Sequence, residues 1–403
     1  MHSRRWVWAL HLGVVVLASA ASFDDELACE TANRGILPKF PIALPPGHVP
    51  PPGFGGLRSA TTPGLKKRQA PEQKCGPQYG SCGDGYCCSL SGYCGISRYY
   101  CEAPDCLIDY GNGCDALKTP DGESTLGVVR DHVGEVPYGN EPIFNCRVPN
   151  TVALTYDDGP NIYTSDLLDM LDSFGAKATF FVTGINSNKG PIDDPAFPWR
   201  NLIKRMMNSR HQIASHTWAH QDLDALSADQ RVNQMVKNEM ALRNILGGFP
   251  TYMRPPYSRC SEASGCVRQM DELGYHVAYF DVDTDDYNND SPDLIQRSKD
   301  IFDNALAFAK PNNEPLLVIA HDVHEQTVYS LTPHMLQAIY GAGYKVVTLG
   351  ECLGDDPANW YRWTYPRNFQ GRSTNSSSGG IPKNKQTNLI RGLPRGATHM
   401  PEN

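Results

Sequence analysis

Short apolar runs alternate with amphipathic spacing between residues 146 and 352. Apolar runs bounded by turn residues are typical of strands buried on both faces, and apolar positions three and four apart predict helices that cover them. The predicted strands are 151–156, 178–183, 276–280, 316–320 and 345–349, and the predicted helices are 162–174, 199–209 and 228–246. This alternation of strands and helices predicts an α/β domain.

The N-terminal residues follow a different pattern, in which a basic start precedes one apolar stretch. Arg4 and Arg5 form this start, and Ala18-Ser19-Ala20 fits a cleavage site, so residues 1–20 are predicted to be a secretory signal. A membrane anchor is the alternative, but a span needs about 20 apolar residues and this stretch is shorter. We therefore expect the protein to have no membrane anchor. We also expect it to be secreted to the extracellular space or the cell wall.

Residues 21–68 are crowded with proline and glycine, a composition that buries too little apolar surface to fold, and are predicted to be a propeptide or linker. The segment ends in Lys67-Arg68, which is either a processing site or a solvated charge run. Cleavage there would remove Cys29 and leave twelve of the thirteen cysteines to pair. Residues 366–403 are polar and are predicted to be a disordered tail.

The overall charge narrows the choice of partners. The chain has 403 residues and a formal net charge of -8. Such a chain has little to offset phosphate repulsion, so we expect no nucleic acid partner. Thirteen cysteines in an exported chain indicate disulfides rather than thiolate metal sites. We expect a monomer that contains one large domain and one small one.

Eight cysteines lie within 40 residues, in the order C-x6-C-x4-CC-x5-C-x6-C followed by two more. A segment this short needs disulfides because its apolar core is small. In this cysteine order, residues 72–116 resemble hevein-like chitin-binding modules. The resemblance implies four disulfides, which are Cys75–Cys88, Cys82–Cys94, Cys87–Cys101 and Cys106–Cys114.

The same resemblance implies a shallow surface that binds N-acetylglucosamine through Ser89, Ser91, Tyr93 and Tyr100. Aromatic faces suit the C–H groups of a sugar, and a serine hydroxyl can bind an acetamido carbonyl. Ser91 departs from the family pattern, since many relatives carry an aromatic residue there. A purely structural disulfide module is the alternative. If a linker joins the module to the large domain, its attachment to chitin should be separable from catalysis.

Five segments of the large domain carry candidate chemistry. Asp157 and Asp158 are adjacent at a predicted strand end, where two like charges repel unless a cation lies between them. His216 and His220 could reach one metal ion if the backbone between them is helical, although such a pair is common by chance. The other segments are Arg254-Pro255-Pro256-Tyr257, Asp281-Val282-Asp283-Thr284-Asp285-Asp286-Tyr287 and Ile319-Ala320-His321-Asp322. Catalytic groups of a parallel barrel gather at the carboxyl ends of its strands.

In their order, the five segments resemble the signature motifs of the polysaccharide deacetylase family, also called the NodB-homology or carbohydrate esterase family 4 domain. Tyr156, Tyr287 and Ile319 stand where the motifs usually have Phe, Trp and Leu. The resemblance implies a distorted (β/α) barrel over residues 146–352 and a metal-dependent deacetylase. Two histidines and one carboxylate favour Zn²⁺ and would also accept Co²⁺ or Fe²⁺.

Position by position, the resemblance implies that Asp158, His216 and His220 bind the metal. Asp157 is then the general base for metal-activated water, and His321 is the general acid for the leaving amine.

It further implies that the backbone N–H of Tyr257 stabilises the oxyanion. Arg254 would orient Asp157, and Asp286 would hold His321, with Asp283 as the weaker candidate for that second role. Tyr287 and Trp218 would line the sugar site.

By elimination, the other cysteines are predicted to pair as Cys146–Cys352 and Cys260–Cys266. The module and the deacetylase motifs point to the same sugar, so the resemblances imply a secreted enzyme that acts on chitin or N-acetylglucosamine oligomers and leaves chitosan and acetate. The alternatives are deacetylation of peptidoglycan or xylan, and an inactive chitin-binding protein. The motifs retain every ligand and the base, which disfavours the inactive alternative.

Overall fold

The computed structural model describes residues 73–364. The predicted secretory signal, the propeptide or linker with Cys29 and Lys67-Arg68, and the polar tail 366–403 lie outside the described residues. Within 73–364, no helix has the length and apolar character that crossing a membrane requires.

The cystine-rich module has little regular structure. Strands β1 (Cys87–Cys88) and β2 (Cys94–Gly95) pair in antiparallel fashion and are followed by the short helix α1 (Arg98–Cys101). Its buried cluster consists of Cys87, Cys106 and Cys114, with Tyr100 and Ile108 packed against it. Disulfides therefore take the place of a large apolar core in this module.

A curled sheet of eight parallel strands forms the centre of the α/β domain, which confirms the predicted fold class. The strands are β3 (Thr151–Asp157), β4 (Thr179–Val182), β5 (Gln212–Ser215), β7 (Tyr252–Met253), β8 (His276–Val277), β9 (Val282–Asp283), β10 (Leu316–His321) and β11 (Lys345–Val347). Their order is β8-β7-β5-β4-β3-β10-β9, with β11 paired to β3. All seven residues of β3 are buried, as a strand covered on both faces requires.

Helices cover the faces of this sheet. They are α2 (Thr164–Ser173), α3 (Trp199–Asn208), α4 (Ala228–Leu246), α5 (Cys266–Glu272), α6 (Ile295–Ala309), α7 (Thr332–Gly341) and α8 (Leu349–Leu353). The first three match the predicted helices. The bounds of α4 follow from its ends, because Ser227 and Gln230 form a capping box and Gly247 ends the helix at a φ of 84°.

Three strands of the sheet escaped prediction, namely β5, β7 and β9. Each has two to four residues, which is too short for a periodic apolar pattern to stand out. A separate antiparallel pair joins β6 (Gly248–Pro250) to β12 (Tyr361–Trp363), so the domain continues beyond residue 352.

The residues between the module and the barrel pack on the α/β domain. Ile143 donates from its N–H to the carbonyl of Val277 at 2.8 Å and forms a bridge with Ala278 at the sheet edge. Arg130 is paired with the fully buried Glu239 of α4 at 2.8 Å. A buried carboxylate requires such a partner, so these residues complete the fold.

Six disulfides form within the described residues, and they join the six pairs expected from the sequence. Four lie in the module and two in the α/β domain: Cys75–Cys88, Cys82–Cys94, Cys87–Cys101, Cys106–Cys114, Cys146–Cys352 and Cys260–Cys266. The Cys146–Cys352 bridge joins residues 206 positions apart and links the segment before β3 to helix α8.

Candidate active site

The polar residues of the site come from the carboxyl ends of the parallel strands. Asp157 is the last residue of β3, and His321 is the last residue of the neighbouring β10, directly opposite in register. His216 follows β5, and Arg254 follows β7. Because the strands are parallel, these ends meet at one edge of the sheet, as expected for a barrel of this class.

Asp158, His216 and His220 form a three-residue cluster whose possible ligand atoms all lie within 4.8 Å of one another. The Asp158 Oδ1 atom is 3.1 Å from His220 Nε2 and 3.6 Å from His216 Nε2. This oxygen is buried and has no hydrogen-bond partner within the described residues. A buried carboxylate oxygen facing two imidazole nitrogens fits a divalent cation.

The backbone around His220 differs from the helix considered in the sequence analysis. Residues 216–220 form a loop after β5, with positive φ values of 69° at Thr217 and 54° at His220. This loop, rather than successive turns of a helix, brings the two imidazoles within a centroid distance of 4.9 Å. The helical backbone on which the sequence analysis made this pairing conditional is not what the structure has at 216–220, yet both histidines reach Asp158.

The tautomer of His216 is fixed by the chain itself. Its Nδ1 is 2.8 Å from the carbonyl oxygen of Arg254, so Nδ1–H donates and Nε2 is left with a lone pair toward Asp158. Burial lowers the pKa of His216 and of His220 to about 4. Both rings are therefore neutral near pH 7, which is the form that binds a metal.

Asp157 forms a buried ion pair with Arg254. The guanidinium NH1 donates to Asp157 Oδ1 at 2.8 Å, and both side chains are nearly inaccessible, at 2% and 1%. The other guanidinium nitrogens donate to the carbonyls of Ala278 and Tyr279, so the orientation of Arg254 is fixed. Burial raises the pKa of Asp157, and the Arg254 charge opposes that rise.

His321 and Asp286 form a second charged pair on the other side of the cleft. His321 Nδ1 is 2.7 Å from Asp286 Oδ1, and the His321 backbone N–H donates to Oδ2 at 2.7 Å. Burial alone would lower the pKa of His321, but the Asp286 carboxylate, aided by Asp158 and Asp157, raises it to about 10. Asp283 instead accepts a hydrogen bond from the Tyr287 hydroxyl at 3.1 Å.

A buried lysine lies beneath the Asp157-Asp158 turn and was missed by the sequence analysis. Lys189 Nζ donates to the carbonyls of Asp158 at 2.8 Å and Gly159 at 3.0 Å, and to Thr183 Oγ1 at 2.7 Å. A Cβ on Gly159 would overlap the carboxylate of Asp322, so only glycine fits at this turn. Lys189 follows no motif in the sequence, and only the fold reveals its position.

The cleft that holds these groups has a volume of about 480 Å³. It is also lined by the exposed rings of Tyr257 and Tyr287 and by Phe280 and His324, and the last two were not predicted. Tyr257 lies edge-on to His220 with ring centroids 4.6 Å apart, and Tyr287 lies edge-on to His321 at 5.4 Å. The backbone at Tyr257 has a φ of 57°.

Trp218 does not line the cleft. It is fully buried, and a Cβ on Gly184 would overlap its ring, so the tryptophan packs on bare backbone. The expectation that Trp218 lines the sugar site was wrong, because the loop after β5 turns this ring inward.

The predicted sugar-binding residues of the module differ in exposure. Ser91 is exposed, and Tyr93 and Tyr100 are half-buried. Ser89 is only 8% exposed, and its hydroxyl accepts a hydrogen bond from the Tyr93 N–H at 3.3 Å. Tyr99, which the sequence analysis did not select, is the most exposed tyrosine among these neighbours.

Comparisons with known proteins agree with this geometry. A family model described as Polysaccharide deacetylase matches residues 145–278. The chain is 44% identical over 228 residues to a chitin deacetylase from Colletotrichum lindemuthianum, a match that covers 57% of this chain and 89% of that protein. It is 44% identical over 241 residues to a chitin deacetylase from Pestalotiopsis sp, covering 60% and 76% of the two chains. The solved structure of the chitin deacetylase from the fungal pathogen Colletotrichum lindemuthianum has a TM-score of 0.53 and 42% identity, covering 58% of this chain and all of that one.

Proposed function

The chain belongs to the polysaccharide deacetylase family, and from this premise we propose that it hydrolyses the N-acetyl groups of chitin, leaving chitosan and acetate. The observation that carries the proposal is the unpaired, buried Oδ1 of Asp158, which faces two neutral imidazoles in a cleft that also holds a buried carboxylate and a charged histidine. Six disulfides support an extracellular or cell-wall location.

In this proposal, Asp158, His216 and His220 hold one divalent ion, with Zn²⁺ the ion that this donor set favours. A bound ion of this kind supplies a Lewis acid that activates water and polarises the acetamido carbonyl. The chain prepares the site in two ways. Burial keeps both imidazoles neutral, and Lys189 Nζ donates a hydrogen bond to the backbone carbonyl of Asp158.

Asp157 acts as the general base. Its raised pKa increases its affinity for a proton, while the Arg254 guanidinium keeps the carboxylate ionised and fixes its direction. It takes one proton from the water as the oxygen of that water bonds to the acetamido carbon. The backbone N–H of Tyr257 donates to the oxygen that becomes negative.

His321 acts as the general acid. Its pKa near 10 keeps the ring protonated at neutral pH, and Asp286 leaves Nε2–H free to face the cleft. The proton passes to the sugar nitrogen as the C–N bond breaks, so the nitrogen leaves as an amine rather than as an amide anion. Acetate is the second product.

The two exposed tyrosines at the cleft, Tyr257 and Tyr287, offer faces on which a sugar ring can pack. The cleft itself does not distinguish an N-acetylglucosamine polymer from another acetylated glycan. The cystine-rich module favours chitin, because an enzyme for acetylxylan would gain little from a hevein-like surface.

The proposal is tested by incubating the purified protein with N-acetylglucosamine oligomers, acetylxylan and peptidoglycan and measuring acetate with and without a chelator. We expect acetate from the oligomers that ceases on chelation and returns when Zn²⁺ is added. If acetate came only from xylan or only from peptidoglycan, that glycan and not chitin would be the substrate. If no glycan gave acetate, the result would support an inactive chitin-binding protein. An Asp157→Asn variant is the background control.

A further inference from the structure

The cystine-rich module is attached to the α/β domain by more than the chain that joins them. The backbone N–H of Ser187 donates to the carbonyl of Ala103 at 3.0 Å, and Gln221 Nε2 donates to the carbonyl of Pro104 at 2.7 Å. Gln230 Nε2 donates to Asp109 Oδ1 at 2.6 Å. We call residues 103–109 the docking segment.

Apolar packing accompanies these hydrogen bonds. Ala103 is 1% exposed and belongs to the same buried cluster as the strands of the α/β domain. Ile108 packs both against that cluster and against the cysteine cluster of the module. At the end of the module, Lys237 of α4 donates to the carbonyls of Ala116 and Leu117 at 3.1 and 3.0 Å. A freely tethered module would expose Ala103 and Ile108 to water, which is unfavourable.

Two of the three hydrogen bonds to the docking segment end on loops that hold the Asp158-His216-His220 cluster. Gln221 directly follows His220 and is 8% exposed, so its side-chain amide is buried against the module. Ser187 lies two residues before Lys189, whose Nζ donates to the Asp158 carbonyl. The docking segment therefore contacts both the loop that carries His220 and the loop that carries Lys189.

The conformation of His220 needs such support. Its φ of 54° lies in the left-handed region, which non-glycine residues occupy uncommonly, and its N–H donates to Thr217 Oγ1 at 3.1 Å within the same loop. The adjoining Gln221 side chain is fixed by an acceptor that belongs to the module, not to the α/β domain.

We propose that the module is a structural part of the metal site: the docking segment, through Gln221 as a positioning residue, holds the His220 loop in its ligating conformation. Metal affinity then depends on the module. A flexible linker would allow attachment to chitin to be lost without loss of catalysis, whereas this arrangement couples the two. This inference rests on the proposed metal site and goes beyond the deacetylase activity.

The experiment is a titration of the metal-free, full-length protein with Co²⁺ alone, following the visible spectrum of the bound ion. Gln221→Met keeps the side-chain length but removes the donor, and Ile108→Ala loosens the packing of the docking segment on the α/β domain. Asp109→Ala is the control, because it removes an exposed hydrogen bond of the docking segment that does not reach the His220 loop.

We expect Gln221→Met and Ile108→Ala to bind Co²⁺ about 10-fold more weakly and with an altered spectrum, the size of effect usual for groups that orient a metal ligand. Asp109→Ala should stay within about 2-fold of the unaltered protein. If Gln221→Met fails to fold, Ile108→Ala decides alone.

Unchanged affinity and spectrum in both variants would overturn the inference and leave the deacetylase proposal intact. Failure of the unaltered protein to bind Co²⁺ would overturn the metal site as well. Acetate release enters none of these readouts, so loss of the proposed activity and loss of the proposed docking role are distinguishable.

Discussion

The cystine-rich module and the α/β domain are stabilised in different ways. They also differ in whether their charged side chains are exposed or buried. Four disulfides enclose a small cluster in the module, and its charged residues Asp84, Arg98 and Asp105 are exposed. The α/β domain instead buries Arg254 and Asp286 in an extended apolar core. Cross-links can hold a surface in shape, but shifting the pKa of a catalytic group requires a core large enough to exclude water.

The largest effect should come from the adjacent aspartates of the α/β domain. Asp157→Asn should keep the metal while turnover falls by about 10²–10⁴, the usual contribution of a positioned general base. Asp158→Asn should lose metal and activity together, because a neutral amide is a poorer ligand. His321→Ala should behave like Asp157→Asn. Acetate release and metal content by plasma emission are measured on all three variants, and full activity in Asp157→Asn would exclude the mechanism.

Removing one partner of a buried ion pair should destabilise the α/β domain strongly. Removing one partner of a surface ion pair in the same domain should not. Arg254→Leu leaves the Asp157 carboxylate buried without its partner and should lower the free energy of unfolding by about 3–5 kcal/mol. The matched control is Arg205→Leu, since Arg205 pairs with Asp169 and Asp172 at the surface and should cost about 0–1 kcal/mol. Urea denaturation measures both, and equal losses would contradict the comparison.

Removing the disulfides of the α/β domain should have an effect of intermediate size on stability. This domain also has an extended apolar core, so it does not depend on disulfides alone. Replacing Cys146 and Cys352 by alanine should cost about 2–4 kcal/mol, and replacing Cys260 and Cys266 should cost less. The reason is that the first bridge joins residues 206 apart and the second joins residues 6 apart, so the first restricts the unfolded chain more. Thermal unfolding of the two double variants decides the order, and a greater loss from the short bridge would reverse it.

The sequence predicted the long elements and the motif residues, because each leaves a local signal. The all-buried run of β3 and the capped helix α4 can be found from spacing and end residues alone. Asp157, His216 and His321 were found through motifs that end strands.

Contacts between distant residues left no such signal. Lys189 lies in a loop and acts on Asp158 only because β3 and β4 are neighbours. The inward turn of Trp218 depends on the positive φ of Thr217, which no propensity predicts. The docking of the module likewise depends on Ala103, a residue with no distinctive chemistry.

A smaller effect concerns the pH dependence of the general acid. If His321 is the general acid, as proposed, it must be protonated to act, so activity should fall as pH rises through its pKa. Asp286 raises that pKa, and Asp286→Asn should therefore move the alkaline limb of the kcat profile to lower pH by about one unit or more. Asp290→Asn is the control, because Asp290 pairs with the neighbouring His324 at 3.1 Å and should leave the limb in place. An upward or absent shift in Asp286→Asn would contradict the assigned acid.

The smallest effect belongs to the predicted chitin-binding face of the module, where the Tyr93 and Tyr100 rings are half-buried and Ser91 is exposed. Tyr93→Ala removes one ring from the predicted chitin-binding surface and should weaken attachment to solid chitin about 5-fold, since one aromatic contact contributes on the order of 1 kcal/mol. Tyr79→Ala is the matched control: Tyr79 is 56% exposed on the same module and is not one of the four residues predicted to bind the sugar. Neither tyrosine lies in the docking segment, so turnover of short soluble oligomers should be unchanged in both variants. Co-sedimentation with chitin and acetate release are measured side by side. Loss of turnover in Tyr93→Ala alone would mean that this face also shapes the catalytic cleft, and unchanged attachment would leave the module with a structural role only.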